Sequence, residues 1–335
     1  MIAAVDVGFG RTKAVSSHGE HYDFPSLIGE FKPVIFSAGM ENSPLTSRLA
    51  ISTDRKDWFV GEAAIKQSTP QNTIDSQRTV AKEGIVLLLT ALTILARKSP
   101  ELINLVTGLP VSHYQRFKER YLSAIGCAHF TDLLSPSGKI VKSVLLSVEA
   151  VRVIPQPMGT YFDAILDDDG QLIENRMAAG KVGIIDIGYN TLDLARVDGL
   201  EFVNTRSASF SRLGIFNSFQ NLSTELYRNL SLEVPPERME PLVRANEVMI
   251  AGKAVSIDLM RQAAFQNAAE QIVSRVKSTW PDRWELDRIL LTGGGALLLS
   301  DYLLPVFEGQ AVLASSPAYA NVSGYLKFGK RIWRE

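Results

Sequence analysis

Over much of the first two thirds of the chain, apolar positions fall into short runs bounded by turn formers; the last third is mostly at helical spacing. Ile2 to Val7 is apolar apart from Asp6. A glycine turn, Asp6-Val7-Gly8-Phe9-Gly10-Arg11-Thr12-Lys13, leads into a second run at Thr12 to Ser16. Runs of this length closed by glycines predict paired strands. Lys32 to Asp57 is rich in turn formers and charges, and a strand-like pattern resumes at Trp58 to Gly61. Ile85 to Ala96 is a 12-residue apolar-looking run closed by Lys82/Glu83 and Arg97/Lys98. Spanning a bilayer takes about 20 residues, so this run predicts a buried helix. Ile103 to Pro110 reads as a buried strand ending at a Gly-Leu-Pro turn. Tyr114 to Ile125 reads as a helix exposing Arg116, Lys118, Glu119 and Arg120. Val141 to Ile154 reads as strands stopped by Pro155-Gln156-Pro157.

Asp167 to Gly170 is an acidic turn and a candidate domain boundary. Its acids are not spread over about twelve residues as a calcium loop requires. Beyond it, Val182 to Ile187 is an apolar strand carrying one acid, Asp186, and it leads into Gly188-Tyr189-Asn190-Thr191-Leu192-Asp193. Ile2–Lys13 and Val182–Asp193 therefore share one plan: apolar strand, Asp-x-Gly, turn, second strand. This repeat predicts two like domains facing one another. Ile215 to Leu230 and Ser256 to Thr279 have helical spacing. Arg288 to Thr292 reads as a buried strand, followed by Gly293-Gly294-Gly295 and a helix from Ala296 to Leu304. A further helix is predicted from Ala320 to Arg334, weakened by Gly324 and Gly329.

Composition narrows the function classes. The 335 residues carry 35 Lys+Arg against 36 Asp+Glu, a net charge of -1, which argues against general nucleic-acid binding. The N-terminal stretch has Asp6 and no basic segment, so it does not read as an export signal. With Cys127 as the single cysteine, no intrachain disulfide and no multi-thiolate zinc site can form. A soluble, cytoplasmic protein is expected. Cys127 is expected to be a buried or semi-buried thiol with no oriented partner in His129, and His18 and His21 are expected to be exposed turn residues.

Phosphate chemistry needs backbone N–H groups close to oxygen atoms, a metal to neutralise charge and a group that positions water. Gly8 and Gly10 allow close approach in the first turn, and Lys13 adds a point charge. Gly188 and Thr191 serve the second turn, and Gly293-Gly294-Gly295 makes a third at a strand end. Asp6 and Asp186 sit at strand ends beside these turns. If the turns face each other, both carboxylates converge on one magnesium, held through its waters. There is no Gly-x4-Gly-Lys-Ser/Thr loop, no third spaced glycine for a dinucleotide fingerprint and no Gly-x-Ser-x-Gly elbow.

The order of Asp6-Val7-Gly8 to Lys13, Gly108-Leu109-Pro110, Pro155 to Gly159, Asp186 to Asp193, Leu213-Gly214-Ile215, Thr292 to Ala296 and Asn321 to Tyr325 resembles the actin-like ATPases. More narrowly, it resembles the ParM/StbA plasmid-segregation proteins and their archaeal actin-like relatives, over essentially the whole chain. The resemblance implies an α/β, two-domain actin-like (ribonuclease H-like) fold with a nucleotide cleft between domains. Each domain would be a βββαβα core with a five-stranded mixed sheet. Domain I would be residues 1–160 plus 318–335, and domain II residues 161–317.

It also implies roles. Asp6, Gly8, Phe9, Gly10, Thr12 and Lys13 match the first phosphate loop. Gly188, Tyr189, Asn190 and Thr191 match the second, Gly214 a hinge-side loop, and Gly293, Gly294 and Gly295 the adenosine loop. Gln156 matches the residue that positions the attacking water, and Asp186, with Asp6, the carboxylates that hold the metal. Two departures stand out: Phe9 replaces the serine of actin, and Tyr189-Asn190 replaces the usual Gly-Thr. The implied ligands are ATP or ADP with Mg2+, with GTP as the alternative. The implied activity is ATP hydrolysis coupled to polymerisation, driving plasmid DNA segregation. The implied partners are other copies of the chain and a small DNA-binding adaptor at a centromere-like site, with no direct nucleic acid and no membrane. A small-molecule kinase or a chaperone-like ATPase of the same superfamily is the alternative.

Overall fold

The structure, a computed structural model, describes residues 1–36, 44–69 and 81–333. Part of the Lys32–Asp57 stretch, and Arg334 of the predicted helix, lie outside the described residues. Two compact units form: one from residues 1–175 together with 319–335, the other from residues 176–318.

In the first unit β1 (Ile2–Val7), β2 (Arg11–Ser16) and β3 (His21–Pro25) form an antiparallel ribbon. Next come β4 (Ile28–Glu30), β5 (Ala50–Thr53), β6 (Lys56–Val60), α1 (Glu62–Gln67) and α2 (Lys82–Leu95). Then follow β7 (Glu101–Leu109), α3 (Val111–Ile125), β8 (Ala128–Leu134), β9 (Ile140–Pro155) and α4 (Met158–Ile165). The strands make one nine-stranded sheet in the order β3-β2-β1-β7-β9-β8-β5-β6-β4. This is larger than the five strands expected. The extra strands, β4 to β6 and β8, are short or partly exposed, so they carry little apolar periodicity.

Every residue of β1 is buried. Side chains alternate across a strand, and both faces of β1 are covered. Ala3, Val5 and Val7 join the core built on α2, while Ala4 packs with Val106, Val322 and Tyr325. Helix α2 is the buried helix its pattern predicts, and no helix among the described residues is long and apolar enough to cross a membrane. Its buried Thr90 and Thr93 hydroxyls donate to Val86 O and Leu89 O at 2.7 and 2.6 Å, which removes the cost of burying them.

A short helix, α5 (Asn175–Ala179), leads into the second unit. There β10 (Lys181–Ile187), β11 (Thr191–Asp198), β12 (Glu201–Phe202) and β13 (Ala208–Ser211) precede α6 (Ile215–Leu230) and α7 (Met239–Ala245). A hairpin of β14 (Glu247–Ile250) and β15 (Lys253–Ser256) precedes α8 (Asp258–Thr279), β16 (Arg288–Thr292), α9 (Ala296–Leu303) and β17 (Ala311–Leu313). The sheet order is β12-β11-β10-β16-β17, with β13 on β11, again more than five strands. Its core joins Ile185, Ile187, Leu192 and Leu194 to α6, α8 and α9 around the fully buried Trp280.

Helix α10 (Ala320–Ile332) returns to the first unit. It crosses α4 with no side chain between the backbones. A Cβ on Gly324 would lie 1.8 Å from Gly159 O, and one on Gly159 would lie 2.4 Å from Asn321 O. The acidic turn at Asp167–Gly170 is therefore not a boundary. It lies within the first unit, where Lys330 Nζ donates to Asp168 O at 2.6 Å and Arg331 Nη1 to Gly170 O at 3.1 Å. Its backbone carbonyls are the docking points for the basic end of α10.

The α4–α10 crossing gives a direct test. Gly324→Ala is expected to destabilise the fold by about 3 kcal/mol, because the clash is with backbone that cannot rotate away. The measurement is the urea unfolding midpoint, with the slope unchanged; a midpoint equal to wild type would show that the crossing can open at little cost.

Candidate functional site

In the first unit the β1–β2 register pairs Asp6 with Lys13 and Val7 with Thr12. The Gly8 N–H closes the turn on Arg11 O at 3.1 Å, and a Cβ on Gly8 would lie 2.9 Å from that oxygen. Ser26 N–H donates to Gly10 O at 2.9 Å, and the Thr12 and Ser26 hydroxyls share a buried bond of 2.8 Å. Thr12 is thus spent on bracing the turn, whereas Gly8, Phe9 and Gly10 are only half-buried.

Asp6 is buried, and Gln156 Nε2 donates to its Oδ1 at 2.5 Å. Burial pushes the Asp6 carboxyl above its ordinary value; the Lys13 charge and the Gln156 hydrogen bond oppose the shift, and Asp23 adds to it. Lys13 Nζ lies 5.3 Å from the centroid of the Tyr319 ring, a cation–π contact. Tyr319 is held by donating to Asp23 Oδ2 at 2.8 Å, and Asp23 Oδ1 accepts from Arg11 Nε at 2.6 Å.

The second unit repeats the hairpin. Asp186 pairs with Asp193 and Ile187 with Leu192, and the Gly188 N–H donates to Thr191 O at 2.9 Å. Asp186 is buried, and across the parallel β10–β16 ladder it stands opposite Thr292. Gly293 follows with φ +91°, a left-handed conformation; a Cβ there would lie 2.3 Å from Ile187 O and 2.4 Å from Asp186 Oδ1. The backbone of the third turn therefore lies directly on Asp186. Gly295 N–H donates to Ile187 O at 2.9 Å, which fixes the other end. Gly294 alone of the three is exposed, with open space where a Cβ would be.

The α6 N-terminus is docked onto the second turn. Ile215 N–H donates to Gly188 O at 3.1 Å and Phe216 N–H to Tyr189 O at 2.9 Å, while a Cβ on Gly214 would lie 2.5 Å from Tyr189 O. Gly214 thus acts through this docking. Asn190 is buried, and the Tyr189 ring lies 5.2 Å from that of Phe216. Burial, with Glu237 and Glu240 adding, raises the Tyr189 phenol well above its ordinary value, so it stays neutral. Both hairpins thus end a buried strand in a carboxylate beside a glycine turn, the donor chemistry a hydrated magnesium and phosphate oxygens require. Among the described residues no three His, Cys, Asp or Glu side chains gather as a cage.

The family model for the N-terminal domain of actin-like proteins matches residues 4–159, which include the first turn and Gln156. The model for the C-terminal part of the archaeal MreB-like actin homologue matches residues 184–304, which include the second and third turns. The chain belongs to the actin-like ATPase family. An archaeal actin homologue of Thermoplasma volcanium is 23% identical over 350 residues, covering 99% of each chain. A 15-stranded ParM filament from Clostridium botulinum is similar in structure, with TM-score 0.80 and 22% identity over 98% of this chain and 99% of that one. An archaeal actin homologue solved in complex with ADP has TM-score 0.76 and 19% identity, covering 99% of each chain. The fold is the two-domain actin-like fold.

In this actin-like chain Cys127 is exposed, contrary to expectation, and its Sγ lies 3.4 Å from His129 Nε2. It precedes β8, whose first residue is exposed, so the burial usual for a free cysteine does not hold here. His18 and His21 are exposed as expected. Ser26, Asp23 and Tyr319 belong to the site but carried no local signal, because only the β2–β3 pairing and the return of the chain bring them there.

Two outcomes follow from this geometry. At neutral pH the ionised form of buried Asp6 costs stability, so Asp6→Asn is expected to raise the urea midpoint at pH 7. That gain is expected to shrink as pH falls through the raised folded-state pKa toward the ordinary value of 3.8, where the wild-type carboxyl also takes up its proton. A midpoint lowered at pH 7 would show that Lys13 outweighs desolvation. Separately, Gly293→Ala is expected to lower the thermal midpoint and Gly294→Ala to leave it unchanged; equal shifts would contradict the different surroundings of the two glycines.

Proposed function

We propose that this chain binds ATP with magnesium and hydrolyses it to drive the assembly and turnover of a homopolymeric filament. The observation that carries this reading is the repeated hairpin: each unit ends a buried strand in a carboxylate beside a glycine turn of the same register. Two such turns together offer backbone donors enough for both the β- and the γ-phosphate. Lys13 and the turn amides at Gly8 to Gly10 and Gly188 to Thr191 would hold phosphate oxygens. Asp6 and Asp186 would hold magnesium through its waters, and bound magnesium would neutralise phosphate charge. Gly293 to Gly295 would lie along the adenosine, with Gly294 as the point of closest approach. GTP is the alternative ligand, since nothing described here selects the base.

Gln156 has two tasks in this reading. Its amide holds the buried Asp6 carboxylate. With nucleotide bound it would orient the attacking water. The relative solved as a ParM filament and the one solved with ADP support self-assembly and nucleotide binding. Plasmid DNA segregation through a small DNA-binding adaptor, in the cytoplasm, is the cargo role we propose, and the net charge of -1 suits indirect contact with DNA. A small-molecule kinase of the same superfamily would show phosphate transfer dependent on an acceptor hydroxyl.

The test is sedimentation with ATP, ADP or no nucleotide, read beside phosphate release. Wild type is expected to pellet with ATP and to release phosphate without an acceptor. Gln156→Ala is expected to retain ATP binding and assembly while hydrolysing about two to four decades more slowly, so its filaments outlast those of wild type. Asp186→Ala is expected to lose magnesium-dependent nucleotide binding as well. Sedimentation indifferent to nucleotide, or wild-type phosphate release from Gln156→Ala, would overturn these assignments.

A further inference from the structure

The reach of Gln156 depends on where its backbone is held, and three groups hold it. Its N–H donates to Leu109 O at 2.8 Å, and its carbonyl accepts from Gly159 N–H at 3.1 Å. The third group is distant in sequence: the Tyr325 hydroxyl of α10 donates to the same carbonyl at 3.2 Å. Tyr325 has no solvent exposure.

The surroundings are shaped to admit this phenol. A Cβ on Gly108 would lie 1.9 Å from Tyr325 Oη and 3.1 Å from Gln156 Cα, and one on Gly159 would lie 2.5 Å from Tyr325 Cε1. One turn earlier on α10, Asn321 Oδ1 accepts from the Thr160 amide and hydroxyl at 3.2 and 2.8 Å. Helix α10 thus grips the segment from Gln156 to Thr160 at both ends. Apolar packing alone would be met by phenylalanine; the hydroxyl adds the bond to the Gln156 carbonyl.

We propose that Tyr325 is a positioning residue for Gln156, fixing through α10 the backbone from which the Gln156 amide reaches Asp6 and, with nucleotide bound, the attacking water. This inference rests on the function proposed above. The bond from the Tyr325 hydroxyl ends on the Gln156 carbonyl. An effect on chemistry that passes through Gln156 is what separates positioning from general support of the fold.

The variant is Tyr325→Phe in the full chain, which keeps the ring and removes the hydroxyl that bonds the Gln156 carbonyl. The kcat for phosphate release is expected to fall about three- to tenfold, with the KM for ATP and the affinity for ADP within about twofold of wild type. In a Gln156→Ala background the same change is expected to lower kcat no further. A second readout needs no nucleotide. The NMR signal of the Gln156 side-chain amide, assigned by its loss in Gln156→Ala, should move toward that of a solvent-exposed glutamine in Tyr325→Phe. An unchanged kcat, an equal loss in both backgrounds, or an unmoved amide signal would each overturn the inference. A wild-type protein that releases no phosphate would remove the function itself, and the inference with it; an active wild type matched by Tyr325→Phe would remove the inference alone.

Discussion

A carboxylate kept away from water at the end of a strand is the constraint on which both units are built. Burying a charge is costly unless something compensates it. The first unit answers at Asp6 with the Lys13 charge across the hairpin and the Gln156 amide from the β9–α4 turn. The second lays the backbone of Gly293 onto Asp186. Neither answer is wholly local: the first draws in the turn after β9 and the second the turn after β16. The glycines at 108, 159, 293 and 324 belong to the same constraint, because each lets backbone or a phenol come where a Cβ would stand.

Those glycines also explain how stability and chemistry are divided in this chain. Gly293 is required by its left-handed φ and by the carboxylate beneath it, whereas Gly294 next to it is conformationally ordinary and faces open space. The first serves the fold, and the second is free of that duty. Thr12 and Gly214 show the same division. Each lies beside a glycine turn, yet Thr12 is tied to Ser26 and Gly214 to the docking of α6.

Legibility in the sequence followed the physics of each element. Ile215–Leu230 and Arg288–Thr292 are strongly periodic or wholly buried, and their bounds are the same in sequence and structure. β5, β8 and β17 are short, half-exposed or set among turn formers, and nothing in their patterns marks them as strands. The carboxylates and glycine turns of the site were legible because the motif occurs twice and in a family order. The contact of Gln156 with Asp6 and the ring of Tyr319 near Lys13 were not, since both exist only once distant segments meet. The exposure of Cys127 was misjudged for a related reason: burial belongs to the packed surface, not to the residue type.

The return of α10 to the first unit carries a consequence for synthesis on the ribosome. Residues 320–332 are translated after the whole of the second unit, yet they seal the bare glycine face of α4 and cover the even-numbered face of β1. Until they emerge, the nascent first unit has a nine-stranded sheet with apolar surface open to water, the condition under which chains misassociate. The second unit, residues 176–318, has no such debt and can complete its core vectorially. Completion of the packing around β1 is thereby tied to translation of residues far downstream, late in the life of the nascent chain.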